Sequence, residues 1–199
     1  MKEITHLRFI TLWIFIVPFL AINICLILIT QFHSLFPNQE HVIANTIPYF
    51  DGGTSISRTA RVFPTYLIFK PAMFFTSYLL YKYWIYNKKI ILNFSDENKN
   101  LNKIIFFGIG SAVLLTLHSI FLGIKFDIAI YKLFRRVVIL SFIIFELTAQ
   151  AYLVVTLYKI RNKFLNYINF NILKIKAILV SILIIVALFS LPIVASPGN

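Results

Sequence analysis

The chain has 199 residues, of which 59% are hydrophobic and only 13% carry a charge, whereas a typical soluble domain has roughly 25% charged residues. Lys and Arg outnumber Asp and Glu by 19 to 7, a net charge of +12. The basic residues lie between long apolar runs. The composition therefore predicts an integral membrane protein, and it excludes a nucleic-acid partner because no soluble surface remains to carry a basic groove.

The first predicted membrane span is Leu7 to Thr30, long enough for a hydrocarbon core that needs about 20 residues. A cleaved secretory signal has a shorter apolar core of roughly 7–15 residues that ends in small side chains. Pro18 lies in the middle of the span and predicts a bend rather than an end. The single cysteine, Cys25, has no partner for an intramolecular disulfide.

A polar loop, Gln31 to Thr65, separates the first span from the second, Tyr66 to Tyr86. Lys70 and Pro71 fall near the start of the second span, where proline is acceptable and lysine can reach the headgroups. The other end of the span is rich in aromatic residues, as is typical of a membrane interface.

Three further spans follow: Ile104 to Gly123, Val137 to Tyr158 and Ala177 to Ala195. The third span carries a patch of small residues of the kind that lets helices approach closely. The connector Lys159 to Lys176 has apolar residues at helical spacing, which fits either a short helix on the membrane surface or an N-terminal extension of the last span. The small residues of the patch are Gly108, Gly110, Ser111 and Ala112.

The predicted fold is therefore all-α, a polytopic transmembrane bundle of about five spans with six as the alternative. Residues 1–199 form one integral membrane domain, because no linker is long enough to separate two. More Lys and Arg flank the spans on the side of the N-terminus, which predicts an inside N-terminus in a plasma or bacterial inner membrane. The basic connector from Lys125 to Arg136 is the exception to this bias.

Under this orientation the basic residues of two outer loops face the same side. They are candidates for binding an anionic lipid headgroup, because arginine donates bidentate hydrogen bonds to phosphate. Ordinary interfacial anchoring is the alternative. Asp51, before Gly52 and Gly53, is the candidate acid of the loop, although an Asp-Gly pair is more often a tight turn. The candidate headgroup-binding residues are Arg58, Arg61, Lys132, Arg135 and Arg136.

Glu146 lies near the middle of the fourth span, where an isolated carboxylate is costly and should be neutral, paired or facing a cavity. Gln150 follows one turn later on the same face, and His118 of the third span is the expected partner. Asn23 and Thr148 are further candidates for this intramembrane polar cluster. The cluster predicts either a structural bond between helices or a role in proton relay or substrate binding.

No cofactor or metal is predicted, because the histidines lack ligand spacing and only one cysteine is present. His33, His41, Glu40 and Asp51 are the residues that could approach a metal in the polar loop. The Asp-Gly and Ala-Arg succession is similar to the motif of CDP-alcohol phosphotransferases, but the further aspartates that hold the metals of that family are absent.

The loop and the start of the second span resemble the DRAM-like, FGF-receptor-activating-protein family of multi-pass membrane proteins. The resemblance covers roughly residues 8–86 and rests on Pro48-Tyr49-Phe50-Asp51-Gly52-Gly53, Phe63-Pro64 and Leu67-Ile68-Phe69. That family usually has six spans, and its usual Ser-Asp before the glycine is Phe50-Asp51 here. The resemblance implies a non-enzymatic or poorly understood membrane role, often tied to lipid handling, and it transfers no catalytic residue.

Three functions follow from these features. The first is a non-enzymatic membrane protein that engages anionic lipid or a membrane protein partner through its basic outer loops. The second is an enzyme or transporter acting on a lipid-linked or isoprenoid-linked phosphate, with Asp51 or Glu146 as the acid–base group. The third is an accessory subunit of a larger membrane complex.

Overall fold

The computed structural model describes residues 2–38, 42–43, 46–47, 49–50, 59–94, 100–124, 129–164 and 169–195. The secondary structure of these residues is helical, which confirms the all-α prediction. Short 3₁₀ turns cover His33–Leu35 and Arg161–Phe164. The five long helices are α1 (Lys2–Gln31), α2 (Tyr66–Phe94), α3 (Leu101–Phe121), α4 (Ala129–Lys159) and α5 (Phe170–Ala195).

Four of the five helices are long and apolar enough to cross a membrane: α1, α3, α4 and α5. The remaining helix, α2, has 29 residues and is about 43 Å long at 1.5 Å per residue, but it carries four lysines. It packs against both α1 and α3. A helix with protein on two sides needs less apolar surface than one that faces lipid, which accounts for its composition.

The helices extend beyond the apolar runs from which they were predicted. α2 begins at Tyr66 as expected but continues past Tyr86, and α4 begins eight residues before Val137. Helical hydrogen bonds satisfy the backbone in water as well as in lipid, so a helix need not end where its apolar run ends. Residues 170–176 likewise belong to a helix, α5, as expected if the connector extends the last span at its N-terminus. Residues 165–168 lie outside the described part. α1 continues through Pro18.

Successive helices pack against each other in chain order and run antiparallel. At one end of the α1–α2 pair, Cys25 Sγ donates to the Thr65 carbonyl over 3.4 Å. At the opposite end, the rings of His6 and Tyr86 stack at 5.9 Å. The bundle thus has an amino end, with the start of α1, and a loop end, where α2 and α4 begin and α3 ends.

The core of the bundle forms around Trp84 of α2, which is fully buried. Its indole lies directly on Gly108 of α3, so closely that a Cβ at this position would overlap the ring. Ile104 and Leu153 complete the contact from α3 and α4. The small residue at 108 therefore allows α2 and α3 to approach, as the small-residue patch indicated.

Candidate functional site

The intramembrane polar cluster is built on Glu146, which receives hydrogen bonds on both carboxyl oxygens. Ser111 Oγ donates to Oε2 over 2.7 Å from α3, and Gln150 Nε2 donates to Oε1 over 2.8 Å within α4. Ser111 is itself fully buried. Serine at this position links α3 to α4 by a side-chain bond within the apolar layer, which is how polar residues join membrane helices. We call Trp84, Ser111, Glu146 and Gln150 the polar cluster.

Two buried atoms of the polar cluster lack a hydrogen bond among the described residues, Trp84 Nε1 and Gln150 Oε1. Trp84 Nε1 approaches the Glu146 carboxyl without reaching hydrogen-bond geometry. Lys176 of α5 lies near enough to interact electrostatically with Glu146, while its Nζ donates to Tyr83 Oη over 3.2 Å. The polar cluster thereby connects α2, α3, α4 and α5.

The structure brings Gln150 to Glu146 but not the other expected members. His118 lies seven residues beyond Ser111, about 10 Å along α3, and among the described residues its imidazole is not a partner of Glu146. Asn23 instead donates to the Phe19 carbonyl over 2.7 Å and accepts from Tyr49 Oη. Thr148 lines a groove on another face of α4. The partner that sequence reasoning missed, Ser111, belongs to the small-residue patch.

At the loop end, the turn from Thr59 to Thr65 holds Arg61 against the end of α3. Thr59, Ala60 and Thr65 are buried, and Thr65 Oγ1 donates to the carbonyls of Thr59 and Val62. The backbone of Arg61 packs on Gly123, whose φ of +90° is a conformation that favours glycine. The position of Arg61 is therefore fixed by buried neighbours on both sides.

Arg61 and Arg135 converge at this end, and we call them the basic cluster. Partial burial and, after it, the positive charge of Arg135 lower the pKa of Arg61. Arg135 is also near enough to His118 to interact electrostatically, and its guanidinium lies 6.0 Å from the centre of the Tyr131 ring. Arg135 Nε is buried and has no hydrogen-bond acceptor in the described part of the chain.

The end of α3 provides a second explanation for positive charge in this region. Lys70 Nζ donates to the Ile120 carbonyl over 3.3 Å, and Tyr131 Oη donates to the Phe121 carbonyl over 2.9 Å. Both satisfy carbonyls that a helix leaves open at its C-terminus, where positive charge is favourable. Capping accounts for Lys70, but it leaves the buried Arg135 Nε without an acceptor.

The remaining candidates of the outer loops are only partly covered by the structure. Arg136 is exposed on α4, whereas Arg58 and Asp51 lie outside the described residues, as does the side chain of Lys132. Glu3 and Glu146 are the carboxylates within the described residues, and neither lies at the loop end.

The metal alternative gains no support from the described residues, in which no three His, Cys, Asp or Glu side chains come together. His33 Nε2 lies 2.8 Å from the Thr30 carbonyl. The other three residues of that alternative, His41, Glu40 and Asp51, are outside the described ranges.

The fold and its clusters define the class of protein, an all-helical bundle in which four helices are long and apolar enough to cross a membrane. Comparison of the chain with family models, with curated proteins and with solved structures finds no match.

Proposed function

We propose that this chain is a non-enzymatic, multi-pass protein of a cell membrane that binds the headgroup of an anionic lipid at its loop end. The observation that carries the proposal is the buried Nε of Arg135, which lacks an acceptor in the described part of the chain, while Arg61 is near enough to Arg135 to interact electrostatically. A buried guanidinium nitrogen without an acceptor is suited to an anion, and phosphate offers acceptors in the geometry of the guanidinium fork.

The depth of the basic cluster supports a lipid as the source of that phosphate. Arg135 lies in the first two turns of α4 and is the third residue of the stretch from Leu133 that is long and apolar enough to cross a membrane. Phosphate groups of a bilayer lie at this boundary between the apolar layer and water.

Chemistry on a lipid phosphate is less well supported. Glu146 lies 11 residues after Arg135, about 16 Å along α4, and its carboxyl is engaged by Ser111 and Gln150. A phosphate held at Arg135 is therefore out of its reach. Asp51, the other acid of the enzyme alternative, lies outside the described residues. A role as accessory subunit is a further proposal, to be tested by co-purification of a second membrane protein.

The test measures binding of phosphatidylglycerol and of neutral phosphatidylcholine to the purified protein by native mass spectrometry. We expect a preference for phosphatidylglycerol that falls about tenfold for each of Arg61→Gln and Arg135→Gln, since each loses a hydrogen bond to a charged group. Arg8→Gln, which removes an exposed arginine at the amino end, is the matched control and should bind as the unchanged protein does.

Two results would contradict the proposal. One is equal binding of both lipids by the unchanged protein. The other is saturable binding of glycerol 3-phosphate at the affinity of the lipid, which would assign the site to a soluble phosphate instead.

Orientation requires its own measurement. With Cys25 replaced by alanine, Ser57→Cys should react with an impermeant maleimide from outside the cell and Ser95→Cys only after permeabilisation. The reverse pattern would place the basic cluster on the inner face, where the positive residues of membrane proteins concentrate.

A further inference from the structure

A groove with a cavity volume of about 840 Å³ runs between α4 and α5. Ile143, Leu147 and Ala151 line it from α4, and Leu183 and Ala187 from α5. Ile143 is 38% exposed and Leu183 is 52% exposed, so the groove is open to its surroundings. α5 makes its contacts mainly with α4, and its part of the lining lies between Leu183 and Ser190.

The lining of the groove is aliphatic apart from Asn100, Thr148, Tyr152 and Ser190. Its extent along α4, from Ile139 to Val155, is about 24 Å. A groove of this kind in a membrane takes either a hydrocarbon chain or another helix.

The charge at the loop end of the groove favours a hydrocarbon chain that is attached to an anionic group. A helix is about 10–12 Å across and would rest on the open side of the groove with one face. A flexible acyl chain is narrow and adapts its shape to a branched aliphatic lining. Within a bilayer an acyl chain gains nothing from an apolar groove as such, because the surrounding lipid is equally apolar. Selective binding of one lipid must therefore come from packing and from the group to which its chain is attached.

The loop end of the groove carries a positive charge, which would select a lipid with an anionic headgroup. Arg136 lies one turn before Leu140 on the same face of α4, and Ile143 and Leu147 continue that stripe. Arg136 is exposed and directly follows Arg135 of the basic cluster. One leaflet is about 15 Å deep, so a chain that starts at Arg136 ends near Thr148, within the groove.

We infer that the groove between α4 and α5 holds an acyl chain of a phospholipid whose phosphate lies at the basic cluster and the adjoining Arg136. This inference rests on the proposed function and deepens it, because it specifies a lipid that is recognised by headgroup and chain together. The lipid then fills the gap between α4 and α5.

The test compares a long-chain with a short-chain lipid bearing the same headgroup. Ala187→Trp fills the groove from α5, and native mass spectrometry should show about tenfold weaker binding of palmitoyl-oleoyl phosphatidylglycerol, because several methylene groups lose their packing. Dihexanoyl phosphatidylglycerol, whose chains are too short to enter, should bind unchanged. Arg136→Gln should weaken the binding of both lipids.

Control variants separate the groove from the rest of the molecule. Ser181→Trp adds the same ring on an exposed part of α5 that does not line the groove, and it should bind both lipids normally. Leu183→Trp is a second groove variant in case Ala187→Trp does not fold. Lys103→Gln removes the lysine that lies 5.5 Å from the Tyr152 ring at the far end of the groove, and it should have no effect.

Distinct results overturn the inference and the proposed function. If Arg135→Gln abolishes the preference for phosphatidylglycerol while both groove variants bind the long-chain lipid normally, the headgroup site stands and the groove holds annular lipid only. If the unchanged protein does not distinguish phosphatidylglycerol from phosphatidylcholine, the proposed function itself fails. A loss of binding in Lys103→Gln would assign the groove to a lipid of the opposite leaflet. A dimer that dissociates in Ala187→Trp would assign the groove to a second copy of the chain. Either result overturns the inference.

Discussion

The polar cluster and the basic cluster differ in where their polar groups find partners. In the polar cluster, both carboxyl oxygens of Glu146 accept hydrogen bonds from Ser111 and Gln150 of the same chain. In the basic cluster, Arg61 and Arg135 approach each other as like charges, and Arg135 Nε has no acceptor among the described residues. A carboxylate whose hydrogen bonds are made within the chain holds helices together, whereas a buried guanidinium nitrogen without an acceptor is suited to an anionic ligand.

The largest expected effect comes from forcing α2 and α3 apart beside the polar cluster. Gly108→Val places a branched side chain against the buried Trp84 ring, and overpacking of this kind should lower the free energy of unfolding by about 3 kcal/mol. Unfolding in mixed detergent micelles measures the change. The double variant with Trp84→Leu should recover part of the lost stability, since the two positions are in contact. If the two losses simply add, the side chain at position 108 does not clash with the Trp84 ring.

Removing the acceptor of the polar cluster should have the next largest effect. Glu146→Ala deletes the bond from Ser111 between α3 and α4, of a kind worth roughly 0.6 to 1.7 kcal/mol between membrane helices, and the bond from Gln150 within α4. The free energy of unfolding should therefore fall by about 1.5 kcal/mol. Ser111→Ala should cost less than half as much. Phosphatidylglycerol binding should not change in either variant. A loss of lipid binding without a loss of stability would mean that the two clusters are not separate in function.

Lys70→Met should separate helix capping from anion binding at the loop end. The lysine bonds the Ile120 carbonyl at the end of α3, and loss of a positive charge there should cost about 0.5 kcal/mol of unfolding free energy. Lipid binding should be preserved, because Lys70 caps the C-terminus of α3 and is not needed to hold the lipid. If lipid binding falls as much as in Arg135→Gln, Lys70 belongs to the anion site and the basic cluster must be extended to include it.

Arg61→Gln should have the smallest effect on stability, and with the opposite sign. Relief of the repulsion from Arg135 should raise the free energy of unfolding in neutral detergent by a few tenths of a kcal/mol, a low value because solvent screens a partly exposed charge. Adding salt to 0.5 M should stabilise the unchanged protein more than the variant. A variant that is less stable than the unchanged protein in both conditions would show that the favourable contacts of Arg61 outweigh its repulsion from Arg135.

The apolar runs of the sequence located all five long helices, because the energetics of the hydrocarbon layer are visible in hydropathy alone. The helix ends were harder to predict from the sequence. Residues 87–94 of α2 are polar enough to leave the membrane, but they contain no residue that stops a helix. Glu146 was recognisable as a cluster residue from its depth. Its bond to Ser111 was not, because the sequence does not fix how α3 and α4 are rotated relative to each other.

The attachment of α5 has a consequence for how the protein could be divided. The described residues packed around Trp84 come from α1 to α4, and Lys176 of α5 bonds Tyr83 of α2 through its side chain. The first four helices therefore form a complete unit before the last one is synthesised. We expect fragments 1–164 and 165–199, expressed from separate genes, to reassemble into a working protein, whereas a break between α2 and α3 should not be tolerated.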